Sequence, residues 1–246
     1  MALLEVEHVS VDFGGVRALH LVDLDVEAGQ ATGLIGPNGA GKTTLFNAIC
    51  GLQPTDRGRV VLDGRDITRV AAHKRARLGI ARTFQRLEVF GSMTARDNIR
   101  VAADVHRRWA RRAGRRAIAA PEVRTEEILD QVGLRSVADD RVDALPTGLA
   151  RLVEVGRALA SDPTVLLLDE PSSGLSEEET ESFALLLRRL AGEGLAILLV
   201  EHDVELVMGV CSRIHVLDFG RVIASGTPEE IQGDAAVQSA YLGTTG

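Results

Sequence analysis

The sequence predicts an α/β fold: a mainly parallel sheet covered by helices on both faces, with antiparallel strands at the N-terminus and an inserted helical subdomain. In the second half of the chain, unbroken aliphatic strands alternate with amphipathic helices, and such strands are typical of parallel sheets that are buried on both faces. From about residue 93 to residue 161 the pattern is mainly helical and offers no good strand candidate, which indicates the insertion.

Strand patterns dominate the beginning of the chain. The segments with strand composition are residues 2–13, residues 19–26, "ATGLIG" and "GRVVLDG". The last of these ends in a turn signal at Asp63 and Gly64. Before it, "GKTTLFNAICG" predicts a helix that Gly51 can terminate.

The second half adds three strands, "TVLLLD", "LAILLV" and "RIHVLD". In the helix predicted at residues 177–190, the apolar side chains that share one face are Phe183, Leu186, Leu187 and Leu190. Ser176 and Glu179 have the spacing of a capping box at its start. We therefore expect one domain, with an α/β core at about residues 1–91 and 164–246 and a helical subdomain at about residues 92–163.

Composition disfavours several classes of protein. The net charge of −7 argues against general nucleic-acid binding. Cys50 and Cys211 are far apart and lack the spacing of a disulfide framework or a zinc site. The N-terminus reads as a strand, and no apolar run approaches the ~20 residues that cross a bilayer, so we expect neither a signal peptide nor a membrane span.

One segment departs from the acidic balance of the chain. Residues 100–124 contain eight arginines and two acids, Asp104 and Glu122, and the densest part runs from Arg107 to Arg116. Such a run is either a solvated helix face or a surface for anionic lipid headgroups or an acidic partner. The sequence leaves both interpretations open.

The strongest chemical signal is "GPNGAGKTT", which lies between a predicted strand and a predicted helix and has the pattern of a phosphate-binding loop. Its glycines let backbone N–H groups surround phosphates, and the helix N-terminus adds its positive dipole end. Lys42 can reach the β- and γ-phosphates, and Thr43 can ligate Mg²⁺. The alternative is a glycine-rich turn that happens to precede a lysine. The predicted P-loop NTPase core would bind nucleotide through Gly36, Pro37, Asn38, Gly39, Ala40, Gly41, Lys42, Thr43 and Thr44.

Two acids follow the strand "VLLL". A central strand that ends in Asp169 and Glu170 delivers both carboxylates to the carboxyl edge of the sheet, where the phosphate loop also lies. We expect Asp169 to hold Mg²⁺ and Glu170 to polarise the attacking water as general base. The alternative is that the acids merely begin a turn before Pro171.

The order of these motifs resembles the ATP-binding subunits of ATP-binding cassette (ABC) transporters over essentially the whole chain. The residues that carry the resemblance are "LLLDEPSSGLS", "GLARLVEVGRALASDP" before it and "ILLVEHD" after it. The resemblance implies a RecA-like core in which Phe13 stacks on adenine, Gln85 links Mg²⁺ to the membrane subunit and His202 contacts the γ-phosphate. The structural alternatives are Phe13 as strand core, Gln85 as a polar loop residue and His202 as a capped strand end.

Cassettes of this family work as head-to-tail dimers, in which the signature of one subunit, usually LSGGQ, covers ATP bound to the other. Here the signature reads "LPTGL" and retains only Leu145 and Gly148, while Ser176 stands where an aspartate is usual. We expect Thr147 to supply the missing hydroxyl and Gly148 to let the partner's γ-phosphate approach backbone N–H groups. The alternative is a plain helix-starting turn.

The arginine-bearing segment and the tail "GTPEEIQGDAAVQSAYLG" look most like the branched-chain amino acid importer ATPases. This resemblance implies an ATPase with ATP and Mg²⁺ as cofactors, peripheral on the cytoplasmic face of the cell membrane. Its implied partners are membrane-spanning permease subunits, a second ATP-binding subunit and, indirectly, a solute-binding protein, with no nucleic acid. The alternatives are an exporter ATPase for lipid or lipopolysaccharide and a regulatory cassette with weak turnover. Translation-factor and chromosome-structuring cassettes are disfavoured because they carry two cassettes or a long coiled coil.

Overall fold

Two β-sheets with helices around them form the fold, and a computed structural model describes residues 2–114 and 119–242. Arg115 and Arg116 of the predicted basic run, and Gly243 of the quoted tail, lie outside the described residues. The strands are β1 (Ala2–Phe13), β2 (Val16–Glu27), β3 (Ala31–Ile35), β4 (Arg57–Leu62), β5 (Arg65–Asp66), β6 (Ile80–Arg82), β7 (Val165–Asp169), β8 (Ala196–Val200), β9 (Arg213–Asp218) and β10 (Arg221–Gly226).

The helices flank these sheets. They are α1 (Lys42–Cys50), α2 (Ala72–Arg77), α3 (Ala95–Arg112), α4 (Pro121–Gln131), α5 (Thr147–Leu159), α6 (Glu177–Gly192), α7 (Val204–Val210), α8 (Pro228–Gly233) and α9 (Ala235–Leu242), with short 3-10 helices at Arg135–Val137 and Val142–Ala144. None of the described helices combines the length and the apolar character that crossing a membrane requires.

The sheet topology confirms the predicted fold class. The N-terminal sheet has the order β2–β1–β4–β5 and is antiparallel. The larger sheet has the order β10–β9–β3–β8–β7–β6, and all its pairs are parallel except β10 with β9. A tight turn at Asp63 and Gly64, both with positive φ, joins β4 to β5 as predicted.

The larger sheet lies between two apolar layers. In β7, Val165 and Leu167 point into a core shared with α1 and the antiparallel sheet, whereas Leu166 and Leu168 point into a core shared with α3–α7. Successive side chains of a strand face opposite sides. Burial on both sides therefore explains why residues 165–168 of this strand are all aliphatic.

The predicted helices are confirmed in their main features. Gly51, at φ 73°, follows the last residue of α1, and Ser176 and Glu179 form the capping box at the start of α6. The apolar face predicted for α6 is buried. The division into core and helical subdomain stays a prediction, because apolar side chains of α3–α5 and of the sheet belong to one cluster.

Some elements were not predicted. The strand patterns did not reveal β6, whose three residues are too few for periodicity to appear. This strand pairs with β7 along the edge of the larger sheet and leads directly into the segment that carries Gln85. We call residues 83–91 the Gln85 loop.

Candidate nucleotide-hydrolysis site

The predicted phosphate-binding loop and the residues that follow β6, β7 and β8 meet at one edge of the larger sheet, whereas Phe13 belongs to the antiparallel sheet and Thr147 and Gly148 to α5. The phosphate-binding loop follows β3, the Gln85 loop follows β6, Asp169 and Glu170 stand at the end of β7, and His202 follows β8. Because these four strands are parallel, their carboxyl ends lie at the same edge, which is where α/β sheets bind ligands.

The phosphate-binding loop has a backbone that only glycine fits at two positions. Gly36 has φ 151°, and a side chain there would collide with the carbonyl oxygen of Leu217. Gly41 has φ 109°, and its Cβ would lie 2.8 Å from the carbonyl oxygen of Ala18. The loop thus reaches α1 in a conformation closed to larger residues, with its backbone available to a ligand.

Lys42 fills the centre of this loop. Its Nζ donates to the carbonyl oxygens of Gly36 at 2.6 Å and Pro37 at 3.1 Å, and the residue is buried. Burial lowers the pKa of Lys42, while the negative charges of Glu170 and Asp169 oppose that shift. A cation held mainly by carbonyl dipoles is well suited to bind a phosphate that enters the loop.

Glu170 lies between two of the predicted residues. Its Oε1 is 2.8 Å from Nε2 of His202, and its Oε2 accepts a hydrogen bond from Nε2 of Gln85 at 3.0 Å. The backbone of Glu170 has φ 50°, a left-handed conformation that is strained for a residue other than glycine. The end of β7 therefore turns sharply and presents the Glu170 carboxylate to the other two side chains.

Asp169 is held in place by Arg82 and Thr83. Its side chain is 3% exposed, and its Oδ2 accepts a hydrogen bond from Nη2 of Arg82 at 2.8 Å. Its backbone N–H donates to the hydroxyl of Thr83 at 3.2 Å. Arg82 was not among the predicted site residues, because nothing in its local sequence indicates that it meets Asp169.

The oxygen atoms near this edge suit a magnesium ion. Thr43 offers a hydroxyl from the first turn of α1, Asp169 a carboxylate and Gln85 an amide oxygen. Mg²⁺ prefers oxygen ligands of this kind and shares them with nucleotide phosphates. The residues present therefore fit the ion.

Phe13 ends β1 at the tip of the β1–β2 hairpin, opposite Val16. Its side chain is 48% exposed, so the alternative that Phe13 is strand core is wrong. An aromatic ring at an exposed hairpin tip is available to stack on a planar ligand.

The segment "LPTGL" opens α5, which begins at Thr147 after Pro146. Thr147 is exposed, but Gly148 is buried. A Cβ on Gly148 would lie 2.7 Å from Leu175 Cδ2 and 2.9 Å from Glu179 Oε1. Close packing of α5 against the start of α6 therefore explains why a glycine occupies this position. Its contact with a partner's nucleotide stays a prediction.

Hydrogen bonds from side chains of α5 hold the backbone of the Gln85 loop, and these side chains were not predicted from the sequence. Arg151 donates to the carbonyl oxygens of Phe84 at 3.0 Å and Gln85 at 2.6 Å, and Glu154 accepts from the N–H groups of Phe84 at 3.2 Å and Glu88 at 3.4 Å. Arg151 and Glu154 also pair with each other at 3.3 Å. The sequence offered one sign of this attachment, namely an acid among the apolar residues of "LVEVG".

Arg157, one turn further along α5, completes this attachment. It donates to the carbonyl oxygen of Glu88, and its guanidinium lies 4.7 Å from the ring centroid of Phe90. We call Arg151, Glu154 and Arg157 the α5 clasp. It connects the loop that touches Glu170 to the helix that starts with "LPTGL".

Comparisons with known proteins agree with this geometry. The sequence model of the ABC transporter family matches residues 19–173, and that of the branched-chain amino acid ATP-binding cassette transporters matches residues 221–246. The chain is 38% identical to the high-affinity branched-chain amino acid transport ATP-binding protein BraF of Pseudomonas aeruginosa, over 98% of each protein. It is 32% identical to the lipopolysaccharide export system ATP-binding protein LptB of Haemophilus influenzae, over 99% of this chain and 98% of that protein. Among solved structures, the ATP-binding cassette MJ1267 of an ABC transporter superposes with a TM-score of 0.86 at 28% identity, over 98% of this chain and 99% of that one.

Proposed function

The chain belongs to the ABC transporter family, whose cassettes bind and hydrolyse ATP, and from this premise we propose that it powers a membrane importer for branched-chain amino acids or a similar small polar solute. The observation that carries the catalytic part is the Glu170 carboxylate between Gln85 and His202, beside the phosphate-binding loop. The match of residues 221–246 to the branched-chain amino acid cassettes supports the solute class.

In this proposal, each of the site residues has one task. Lys42 and the loop backbone bind the β- and γ-phosphates, and Phe13 stacks on the adenine. Thr43, Asp169 and Gln85 would hold Mg²⁺, which when bound would polarise the phosphate oxygens. Glu170 accepts a proton from the attacking water, and the contacts of its carboxylate with Gln85 and His202 orient it for that role.

His202 is the residue best placed to link the γ-phosphate to the base. Its ring is about half-exposed and lies at hydrogen-bond distance from Glu170. A γ-phosphate that draws the imidazole toward itself would free Oε1 of Glu170 for the water. His202 would thus couple arrival of the nucleotide to activation of the base.

Replacement of Glu170 by glutamine tests the catalytic assignment. Glu170→Gln keeps the shape of the side chain but replaces one carboxylate oxygen with an amide NH2 group and removes the base, so hydrolysis should fall by roughly 10²- to 10⁴-fold while ATP binding persists. Steady-state phosphate release and equilibrium binding of ATP measure the two effects. A Glu170→Gln chain that hydrolyses ATP like the parent would remove Glu170 from the base role, and a parent with negligible turnover in the assembled transporter would favour a regulatory cassette.

We place the contact with the permease on the Gln85 loop and the neighbouring surface of the helical segment. Phe84 and Phe90 of this loop are exposed, although the α5 clasp holds its backbone. Exposed aromatic side chains on a fixed backbone are suited to receive a short amphipathic helix of a membrane subunit. Phe90→Ala should lower copurification of the permease and leave basal ATPase activity intact, whereas Phe219→Ala, which removes a still more exposed phenylalanine elsewhere, should have no effect.

The basic helix α3 supports a peripheral position on the membrane. Val101, Val105, Arg108 and Arg112 are exposed at spacings of four, three and four residues, which place them on one stripe. A stripe of valine and arginine is suited to anionic headgroups. Flotation with vesicles should therefore require anionic lipid and weaken with salt, and the double variant Arg108→Glu and Arg112→Glu should abolish it. Binding that ignores salt and lipid charge would leave α3 as a solvated face.

An exporter remains the second candidate, because the relative LptB carries that function in its name and covers almost the whole chain. The solute does not pass through the ATP-binding subunit, so the permease decides between the two. Identification of the membrane proteins that copurify with this chain, followed by uptake measurements with radiolabelled leucine in reconstituted vesicles, separates import from export.

A further inference from the structure

Arg82 is a buried cation beside the carboxylate that we expect to hold magnesium. Its side chain is 6% exposed, Nη2 donates to Oδ2 of Asp169 at 2.8 Å, and Nη1 donates to Oδ1 of Asn47 at 2.6 Å. The guanidinium carbon lies 5.3 Å from the ring centroid of Phe46 and 4.9 Å from that of Phe84. The side chain therefore touches α1, the end of β7 and the Gln85 loop at once.

These contacts require arginine in particular. A planar guanidinium can direct two N–H groups to separate acceptors while its faces lie against aromatic rings, whereas lysine offers one compact charge. The Nε atom is buried without a hydrogen-bond partner among the described residues. The hydrogen bonds to Asn47 and Asp169 come from the two terminal nitrogens. The elements that meet here hold the positive charge in one place next to Asp169.

A fixed positive charge at this place opposes the binding of a metal cation. It occupies one oxygen of Asp169 and neutralises its charge, so a divalent ion that approaches the carboxylate gains less attraction and is also repelled by the guanidinium. The phosphates of a nucleotide bound in the adjoining loop would restore the negative charge that the ion needs.

We propose that Arg82 is the resident counter-cation of Asp169 and keeps the affinity of the nucleotide-free site for divalent ions low, so that the metal enters together with the nucleotide. The inference rests on the proposed function in one respect, the assignment of Asp169 to the metal. Arg82 is accordingly a positioning residue, since it acts on the metal site through Asp169.

Binding of Mn²⁺ alone tests this inference. The purified full chain is titrated with Mn²⁺ at pH 8 without nucleotide, and the free ion is followed by electron paramagnetic resonance. The parent should bind Mn²⁺ weakly, and Arg82→Met should bind it at least about tenfold more tightly, because the repulsion is gone and both oxygens of Asp169 are accessible. Arg82→Gln, which is neutral but can still bond to Asn47, should show the same gain and serves if the methionine variant does not fold.

Three control variants assign the effect to charge at Asp169. Arg82→Lys keeps the charge and should keep the low affinity of the parent, even where the lost stacking lowers the melting temperature. Arg75→Met removes another buried arginine, which donates only to backbone carbonyl oxygens, and should lower stability without changing Mn²⁺ binding. Adding Asp169→Asn to Arg82→Met should return the affinity to that of the parent.

The inference is overturned if folded Arg82→Met and Arg82→Gln bind Mn²⁺ no more tightly than the parent, or if the gain survives Asp169→Asn. Its failure is distinguishable from failure of the proposed function. If Glu170→Gln abolishes hydrolysis and the Mn²⁺ affinities do not change, only the role of Arg82 is lost. If the parent neither binds nor hydrolyses ATP, the proposed function fails whatever the Mn²⁺ titrations give.

Discussion

Glu154 in the α5 clasp is the buried acid whose removal should reveal how the Gln85 loop is held. Its side chain is 6% exposed, and that of its partner Arg151 is 12% exposed. Burial raises the pKa of Glu154, whereas the N–H groups of Phe84 and Glu88 and the charge of Arg151 oppose the shift. Leucine at this position would remove three hydrogen-bond contacts, while glutamine would keep an acceptor for the two N–H groups.

The expected magnitudes follow from these contacts. Glu154→Leu leaves two amide groups without their acceptor and Arg151 without its carboxylate, which should lower the free energy of unfolding by about 3 kcal/mol. Arg151 keeps its bonds to two carbonyl oxygens, so the loss stays below that of an isolated buried charge. Glu154→Gln should cost only about 1 kcal/mol, because it also relieves the burial of a charged group.

Urea denaturation measures the global effect, and hydrogen exchange measures the local one. In Glu154→Leu the amides of Phe84 and Glu88 should exchange about 10- to 100-fold faster, whereas amides in β7 change only with global stability. Glu127 provides the matched control, since it pairs with Arg124 at the same i, i+3 spacing but on the surface. Glu127→Leu should cost less than about 1 kcal/mol.

The functional consequence follows from the position of the clasp between the loop and the helix that opens with "LPTGL". Glu154→Leu should retain basal ATP hydrolysis by the isolated chain, because Arg151 still donates to the carbonyl oxygen of Gln85, but should lose stimulation by the permease. Equal unfolding free energies for the leucine and glutamine variants, together with unchanged exchange at Phe84 and Glu88, would refute the reasoning.

Four further outcomes are expected. Lys42→Ala should abolish ATP binding and the thermal stabilisation that ATP provides, and an unchanged ATP dissociation constant would contradict the assignment. Thr147→Ala should slow ATP hydrolysis in the assembled transporter by roughly tenfold while Thr147→Ser spares it, and Gly148→Ala should lower the melting temperature because its Cβ would meet Leu175 at 2.7 Å. Burial lowers the pKa of His215, and the charge of Arg213 lowers it further, while Asp25 opposes the shift. As pH falls just below 6.5, the histidine therefore takes up a proton in the unfolded chain but not in the folded one. Stability that is present above pH 6.5 should therefore be lost with falling pH, and His215→Leu should flatten that loss in thermal melts at pH 5 to 8.

The features of this protein that depend on local chemistry could be predicted from its sequence. The phosphate-binding loop combines glycines at Gly36 and Gly41, where the backbone requires φ values that other residues avoid, with Lys42 as the first residue of a helix. The aliphatic strands and the capping box at Ser176 are likewise recognisable from a few consecutive residues. Such features depend on a few consecutive residues, so their pattern survives without knowledge of the fold.

Only the tertiary structure decided which distant side chains meet. Gln85 and Glu170 are 85 positions apart and Arg82 and Asp169 are 87 apart, and each pair comes together because β6 lies beside β7 in the sheet. The burial of Gly148 depends in the same way on how α5 packs against α6. Hydrophobic periodicity specifies which face of an element is buried, but not which element covers it. Hydrogen bonds across elements, which position Glu170 and attach the Gln85 loop to α5, are fixed only when the strand order and the helix packing are fixed.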